Sequence, residues 1–129
     1  VKHIKLIRTD HESFFVYVDI EMIKSILRNL ISNAVKFSNP DSEIKVGIKA
    51  EDGKVIVSVT DSGKGIKKEE LPRIFDKGFT GSNGRENEKS TGMGLYLVYK
   101  LCKKLDIDIK AESIYGEFTA IKFTFNIVR

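Results

Sequence analysis

The chain has few of the residues that form disulfide bonds or bind structural metal ions. Its 129 residues include one cysteine, two histidines and no tryptophan. The single thiol of Cys102 cannot form an internal disulfide or a multi-thiolate metal site, and His3 and His11 are not set in a metal-binding spacing. The composition therefore excludes a disulfide scaffold and a structural zinc site.

Long apolar runs and blocks of like charge are also missing. The longest apolar runs are short, such as 14–18, whereas a membrane-spanning helix needs about 20 apolar residues, and no leader pattern opens the chain. Lys and Arg exceed Asp and Glu by 22 to 18, a net charge of +4, and the lysines are scattered. We therefore expect neither a membrane span in this stretch nor nucleic acid as a partner.

What the chain does contain is typical of one globular domain. Hydrophobic residues make up 41% and charged residues 31% of the sequence, and this length buries roughly two thirds of the surface that an unfolded chain exposes. No repeat or Pro/Ser-rich linker divides residues 1–129, so we expect a single domain. Because the sequence starts abruptly in a strand-like stretch, we expect it to be a piece of a larger protein.

Periodicity predicts the element order ββ-α-ββ-α-ββ. Strands are predicted at 4–8 and 14–18, followed by a helix from Asp19 that ends before Asn39-Pro40. Alternating strands surround Asp52-Gly53 and Tyr115-Gly116, with short helical turns at 67–75 and a second helix at 92–105 between the two hairpins. This order fits an α/β (α+β) two-layer sandwich, with helices packed on one face of a mixed, mostly antiparallel sheet.

Glycines cluster between positions 63 and 94, which hold seven of the ten in the chain. Glycine permits unusual backbone angles and close approach by a ligand. However, no Walker spacing occurs, and the Rossmann spacing fails because Leu97 and Lys68 stand where third glycines belong. A nucleotide, if one binds, is held in another way.

The first helix carries a polar stripe of Asn29, Asn33 and Lys36. At about 100° per residue these three lie within ~60° of one another, opposite Ile20, Leu27 and Ile31. A solvated helix face is one explanation. Two asparagines four residues apart in mid-helix are unfavourable by up to ~0.7 kcal/mol each relative to alanine, and their amide oxygens can ligate a hard cation. The second explanation is therefore a cation and phosphate site.

Four segments together resemble the ATP-binding catalytic domain of sensor histidine kinases. Residues 29–38 (NLISNAVKFS) resemble its N box, 61–66 (DSGKGI) its G1 box, 74–81 (IFDKGFTG) its F box and 91–98 (TGMGLYLV) its G2 box, in the family's order and spacing. The F box and the stretch after it are also similar to kinases of Gram-positive bacteria that respond to envelope stress or antimicrobial peptides. The resemblance implies a Bergerat ATP-binding fold.

The resemblance assigns adenine recognition to Asp61, whose carboxylate would accept a hydrogen bond from the adenine amino group and discriminate against the carbonyl of guanine. A turn aspartate in an Asx motif is the alternative for this residue alone. Gly63, Gly65 and Ile66 would line the base. Asn33 would be the ligand of Mg²⁺, and Asn29 and Lys36 would contact phosphates or the water around them.

The remaining implied nucleotide contacts flank or lie within a lid at about 76–91. The G2 box contributes Thr91, Gly92, Met93, Gly94 and Leu95, because a helix N-terminus suits a phosphate. Phe75 and Phe79 would flank the lid or pack against a partner helix domain, although a buried aromatic is the commoner meaning of a single Phe. Arg85 and Lys89 would reach the γ-phosphate, whereas loop cations are usually solvated.

The resemblance further implies a domain that transfers the γ-phosphoryl group of Mg-ATP to a histidine. Related ATPases carry a water-activating Glu where Asn29 stands, and an amide cannot act as that base. His11 lacks the acceptor motif, so we expect a histidine-bearing dimerisation domain N-terminal to Val1. The expected whole protein is a homodimeric kinase of the bacterial plasma membrane with a cognate response regulator, and this stretch is its cytoplasmic, monomeric part. A degenerate, nucleotide-gated binding module and an ATPase are the alternatives.

Overall fold

The structure is a computed structural model that describes residues 5–8, 20–79 and 94–126. The elements in chain order are β1 (Lys5–Arg8), α1 (Ile20–Phe37), β2 (Glu43–Glu51), β3 (Lys54–Asp61), a 3-10 turn (Leu71–Arg73), α2 (Gly94–Lys104), β4 (Asp108–Ile114) and β5 (Phe118–Asn126). Both helices and both later hairpins lie where the sequence predicts them. The strand predicted at 14–18 lies outside the described residues.

The described strands form one five-stranded sheet in the order β1-β2-β3-β5-β4. The pairs β2–β3, β3–β5 and β4–β5 are antiparallel, whereas β1 pairs with β2 in parallel. The predicted mixed, mostly antiparallel sheet is therefore confirmed. The partner of β1 was not foreseen, because a parallel pairing across α1 leaves no local turn signal in the sequence.

The two hairpin turns have the backbone angles that their residues favour. Asp52 and Gly53 have φ angles of 52° and 75°, and a two-residue turn of this kind needs positive φ at both positions. Gly116, in the turn between β4 and β5, has a φ angle of 87°. The predicted turn positions are confirmed.

The core lies between one face of the sheet and the two helices. Its buried members come from α1, α2, the inward positions of the strands and the residue just before β4: Ile26, Leu30, Ala34, Ile44, Val55, Val57, Val59, Val98, Cys102, Ile107, Ile121 and Phe123. Inward residues on β3 alternate with half-buried or exposed ones, as expected for a sheet covered on one side. Burial raises the pKa of the Cys102 thiol to about 11, so that this side chain is a protonated part of the core.

The helix α1 ends at Phe37, before Pro40, as predicted. The buried hydroxyl of Ser38 donates a hydrogen bond to the carbonyl oxygen of Ala34 at 2.6 Å, which caps the last turn. Within the described residues, no helix is both long and apolar enough to cross a membrane.

Candidate functional site

The carboxyl group of Asp61 is the buried acid at the centre of the site. Asp61 is the last residue of β3, its side chain is on the helix-facing side of the sheet, and it is only 6% exposed. The backbone N–H of Gly63 donates a hydrogen bond to its Oδ1 at 2.9 Å. The Asx-type bond of the alternative explanation is therefore present, but it occupies one carboxyl oxygen. Among the described residues, Oδ2 has no hydrogen-bond partner.

Burial controls the ionisation of this group. Loss of hydration raises the pKa of Asp61 above its ordinary value of 3.8, and the hydrogen bond from Gly63 opposes part of that rise. A buried acceptor with one uncommitted oxygen is costly unless something binds it. The environment of Asp61 makes it a candidate ligand-binding group.

The end of α1 lies directly against the turn that follows Asp61. A Cβ atom added to Gly63 would overlap the carbonyl oxygen of Phe37. The amide of Asn39 also donates a hydrogen bond to the carbonyl oxygen of Ser62 at 3.3 Å. These contacts fix the last turn of α1 against the end of β3.

The polar stripe of α1 is only partly exposed to solvent. Asn29, Asn33 and Lys36 are half-buried, whereas Arg28 and Ser32 are exposed. The stripe lies at the margin between the buried arc of α1 and its exposed side. At 1.5 Å per residue, Asn33 lies about 6 Å and Asn29 about 12 Å from Phe37 along the helix axis. The stripe therefore starts beside Asp61 and leads away from it.

The amide of Asn29 is partly held by its own helix. Its Nδ2 donates a hydrogen bond to the carbonyl oxygen of Ser25 at 2.9 Å. The bond uses a donor of the amide and leaves the carbonyl oxygen as the group that can accept from a ligand or water. The side chain of Asn29 is an amide and not a carboxylate, so Asn29 cannot serve as a general base.

Gly65 and Ile66 continue the turn after Asp61 and dock on the β4–β5 hairpin. Gly65 has a φ angle of 75°, and a Cβ atom there would overlap the carbonyl oxygen of Ile114. The N–H of Ile66 donates a hydrogen bond to Oγ of Ser113 at 2.7 Å. Both glycines of this turn are thus required by close approach to other backbone segments, and their approach to a base remains a prediction.

The two phenylalanines of the F box contact other parts of the chain. The ring of Phe75 stacks on that of Tyr99 in α2, with centroids 5.6 Å apart. The guanidinium group of Arg73 lies over the ring of Phe79 at 4.7 Å. Both rings are half-buried, which supports the packing explanation within this chain. A partner helix domain remains a prediction.

The G2 box is described only from Gly94 onwards. Gly94 begins α2, and no described atom lies within 4 Å of a Cβ added there. Leu95 packs against the core. Residues 80–91 of the predicted lid lie outside the described residues. The remaining predicted nucleotide contacts also lie outside them: Arg85, Lys89, Thr91, Gly92 and Met93.

Sequence reasoning missed two hydroxyl groups at this site. Thr119 is 8% exposed and lies directly opposite Asp61 in the register of β3 and β5. Ser113 lies at the end of β4, 3.1 Å from the hydroxyl of Thr119. The signal was available, because Thr119 occupies an inward position of a strand whose next inward residues are Ile121 and Phe123.

The described part of the site has hydrogen-bond acceptors but no complete set of protein ligands for a metal ion. Within 20–79 and 94–126, no three His, Cys, Asp or Glu side chains are grouped to hold a metal ion. A hard cation here would therefore share few protein ligands and take the rest from a bound anion or water, as Mg²⁺ usually does. The half-buried amide of Asn33 fits such a role.

The fold and this arrangement define an α/β-sandwich domain with a polar site between its first helix and the end of a central strand. The profile of the histidine kinase-, DNA gyrase B- and HSP90-like ATPases matches residues 18–129. The chain therefore belongs to this ATPase family. The predicted Bergerat fold is confirmed by this match and by the solved structures.

The relatives are sensor histidine kinases. The chain is 40% identical over 110 residues to the sensor histidine kinase GraS of Staphylococcus epidermidis, covering 85% of this chain and 32% of the relative. It is 44% identical over 110 residues to the sensor protein BceS of Halalkalibacterium halodurans, covering 85% and 33%. The resemblance to sensor histidine kinases is confirmed. The chain spans about a third of the length of these relatives.

A solved relative has the same fold. The catalytic domain of the histidine kinase ThkA, in a nucleotide-free form, superposes with a TM-score of 0.80 at 27% identity, covering 95% of this chain and 78% of that one.

Proposed function

We propose that this chain binds Mg-ATP and donates its γ-phosphoryl group to a histidine on a separate dimerisation domain of the same kinase. The observation that carries the proposal is the buried carboxyl of Asp61, with Oδ2 uncommitted among the described residues, next to the half-buried amide stripe of α1. Family membership supports the choice of ATP as substrate.

Asp61 would recognise the adenine ring. Its ionised carboxyl can only accept hydrogen bonds, so it suits the amino group of adenine and disfavours the carbonyl of guanine at the same place. Because Gly63 already bonds to Oδ1, the turn fixes the orientation of the carboxyl before a ligand arrives. Ile66 and the two glycines would then line the base.

The stripe on α1 would hold the phosphates and the metal ion. Asn33 would supply one oxygen ligand to Mg²⁺, and Lys36 and Asn29 would contact phosphate oxygens or the water around them. When bound, the ion would neutralise charge that develops on the phosphate oxygens during transfer. The open space at Gly94 and the N-terminus of α2 favour a phosphate there too.

The absence of a carboxylate at Asn29 favours a histidine over water as acceptor. A neutral imidazole nitrogen needs no base: it forms the N–P bond while the bond from the γ-phosphorus to the bridging oxygen breaks and ADP leaves. That histidine would come from the rest of the protein. The whole protein would be a homodimer anchored in the plasma membrane, and a cognate response regulator would be its separate partner.

The experiment is transfer of label from γ-labelled ATP to the histidine-bearing domain of the same protein, supplied separately. We expect acid-labile label on the acceptor with the wild-type chain and a loss of at least a hundredfold in rate with Asn33→Ala. Ser32→Ala, one residue away on the exposed side of α1, is the matched control and should transfer label normally.

The other functions give different outcomes in the same assay. Release of free phosphate at ~1–10 s⁻¹ without labelled acceptor would identify an ATPase. Binding of ATP with neither label nor phosphate release would identify a nucleotide-gated binding module. Either result contradicts the proposed kinase function.

A further inference from the structure

We propose that Ser113 is a positioning residue for the nucleotide, through the turn that follows Asp61. The inference rests on the proposed function, because it concerns the same adenine site. Ser113 is itself half-buried near the end of β4 and is not part of the four segments that resemble kinase boxes.

The hydroxyl of Ser113 joins three backbone or side-chain groups. It accepts a hydrogen bond from the N–H of Ile66 at 2.7 Å and donates to the carbonyl oxygen of Phe118 at 2.6 Å. The hydroxyl of Thr119 lies 3.1 Å away. A serine hydroxyl has one proton and two acceptor positions, so these three contacts use its full capacity.

The direction of the third bond follows from the other two. Since the proton of Ser113 goes to Phe118, the hydroxyl of Thr119 must donate in the pair that it forms with Ser113. The oxygen of Thr119 then has only acceptor positions left for other groups. Thr119 is the partner of Asp61 in the register of β3 and β5. Ser113 thereby fixes the hydrogen-bonding character of the residue opposite Asp61.

The hydrogen bond between Ser113 and Ile66 holds the end of the turn that follows Asp61. The turn from Gly63 to Ile66 is held at its start by the carboxyl of Asp61 and at its end by Ser113. Between these points the N–H of Gly116 donates to the carbonyl oxygen of Lys64. The hydroxyl of Ser113 therefore anchors the end of this turn to β4.

The test compares Ser113→Ala with Ser113→Thr, which keeps the hydroxyl, and with Ser58→Ala. Ser58 is a half-buried serine on β3, three residues before Asp61 and on the opposite face of the sheet. Affinities for ATP and GTP are measured for each chain by competition with a fluorescent ATP analogue. Exchange of the Ile66 amide hydrogen is measured without nucleotide.

We expect Ser113→Ala to lower the ratio of ATP to GTP affinity by about three- to tenfold and to speed exchange at Ile66 by a similar factor, as loss of one hydrogen bond implies. A substitution that only lowers the folded fraction lowers the affinities for ATP and GTP equally, so it leaves the ratio of the two affinities unchanged. Ser113→Thr and Ser58→Ala are expected to keep the wild-type ratio.

An unchanged ratio in Ser113→Ala, with ATP still bound by the wild type, would overturn the role of Ser113 and leave the proposed function standing. Equal losses in Ser113→Ala and Ser113→Thr would overturn it as well, because the hydroxyl would then not be the cause. Failure of the wild type to bind ATP would instead refute the proposed function, and the positioning role with it.

Discussion

Adding one methyl group at Gly63 should destabilise the fold, whereas adding one at Gly94 should not. At Gly63 a Cβ atom would overlap the carbonyl oxygen of Phe37 and lie 2.9 Å from Oδ1 of Asp61. The first obstacle is backbone of α1, which cannot rotate away. At Gly94 nothing described lies within 4 Å. The pair therefore separates a glycine that the fold needs from one that it does not.

The magnitudes follow from these contacts. Overpacking of this kind costs about 1–3 kcal/mol, and replacing glycine by alanine returns about 0.4–1 kcal/mol through the unfolded state. We expect Gly63→Ala to lower the free energy of unfolding by about 1–2 kcal/mol. Gly94→Ala should leave it unchanged or raise it by up to about 1 kcal/mol, since glycine is a poor helix residue.

Nucleotide binding should respond differently from stability. Gly63→Ala displaces the carboxyl of Asp61, so we expect ATP affinity to fall at least tenfold. Gly94→Ala should also weaken ATP binding several-fold, because its methyl group would fill the open space where we propose that a phosphate binds. Urea unfolding and ATP titration of both variants measure the two effects. The packing argument would be refuted if Gly63→Ala kept the wild-type free energy of unfolding. It would also be refuted if Gly94→Ala lowered that free energy by more than about 1 kcal/mol.

Three further predictions concern the charge, the metal ligand and the missing base. Because the pKa of Asp61 is raised, the folded state binds more protons than the unfolded state between pH 3.8 and that raised value, so stability falls as pH rises through this window. Asp61→Asn should therefore be at least as stable as the wild type at pH 7 in urea unfolding and lose this pH dependence; a clear destabilisation would contradict the prediction. Asn33→Ala should abolish phosphoryl transfer and change the free energy of unfolding by less than about 1 kcal/mol, whereas a large loss of stability without nucleotide would make Asn33 structural. The chain alone should release phosphate from saturating Mg-ATP slowly, because general-base assistance worth about 10²–10⁴-fold is missing at Asn29; a colorimetric phosphate assay showing brisk turnover would place the chain with the ATPases.

Much of the fold was predictable because its signals are local. Three of these signals depend on residues close in sequence, and the structure has all three. They are the helical period of apolar residues in α1, the Asp52-Gly53 turn and the alternating burial along β3. The parallel pairing of β1 with β2 depends on contacts across α1 and left no such signal.

The site was predictable in its residue types but not in its geometry. Helical spacing placed Asn29, Asn33 and Lys36 together, yet their half-burial depends on tertiary packing that the spacing does not reveal. The reason for glycine at position 63 is the carbonyl of Phe37, which only the tertiary packing brings there. Ser113 was missed because its partners come from two other segments, the turn after β3 and the start of β5.

The central claim is that the buried carboxyl of Asp61 selects adenine, and the ratio of ATP to GTP affinity tests it most directly. The ratio is measured by competition for the wild type, for Asp61→Asn and for Asp52→Asn. Asp52 is an exposed control in the turn at the other end of β3, where asparagine tolerates the positive φ angle. A hydrogen bond to a charged acceptor is worth about 1.5–3 kcal/mol, so the ratio should fall roughly ten- to a hundredfold in Asp61→Asn and stay unchanged in Asp52→Asn. Equal ratios in all three chains would contradict the account.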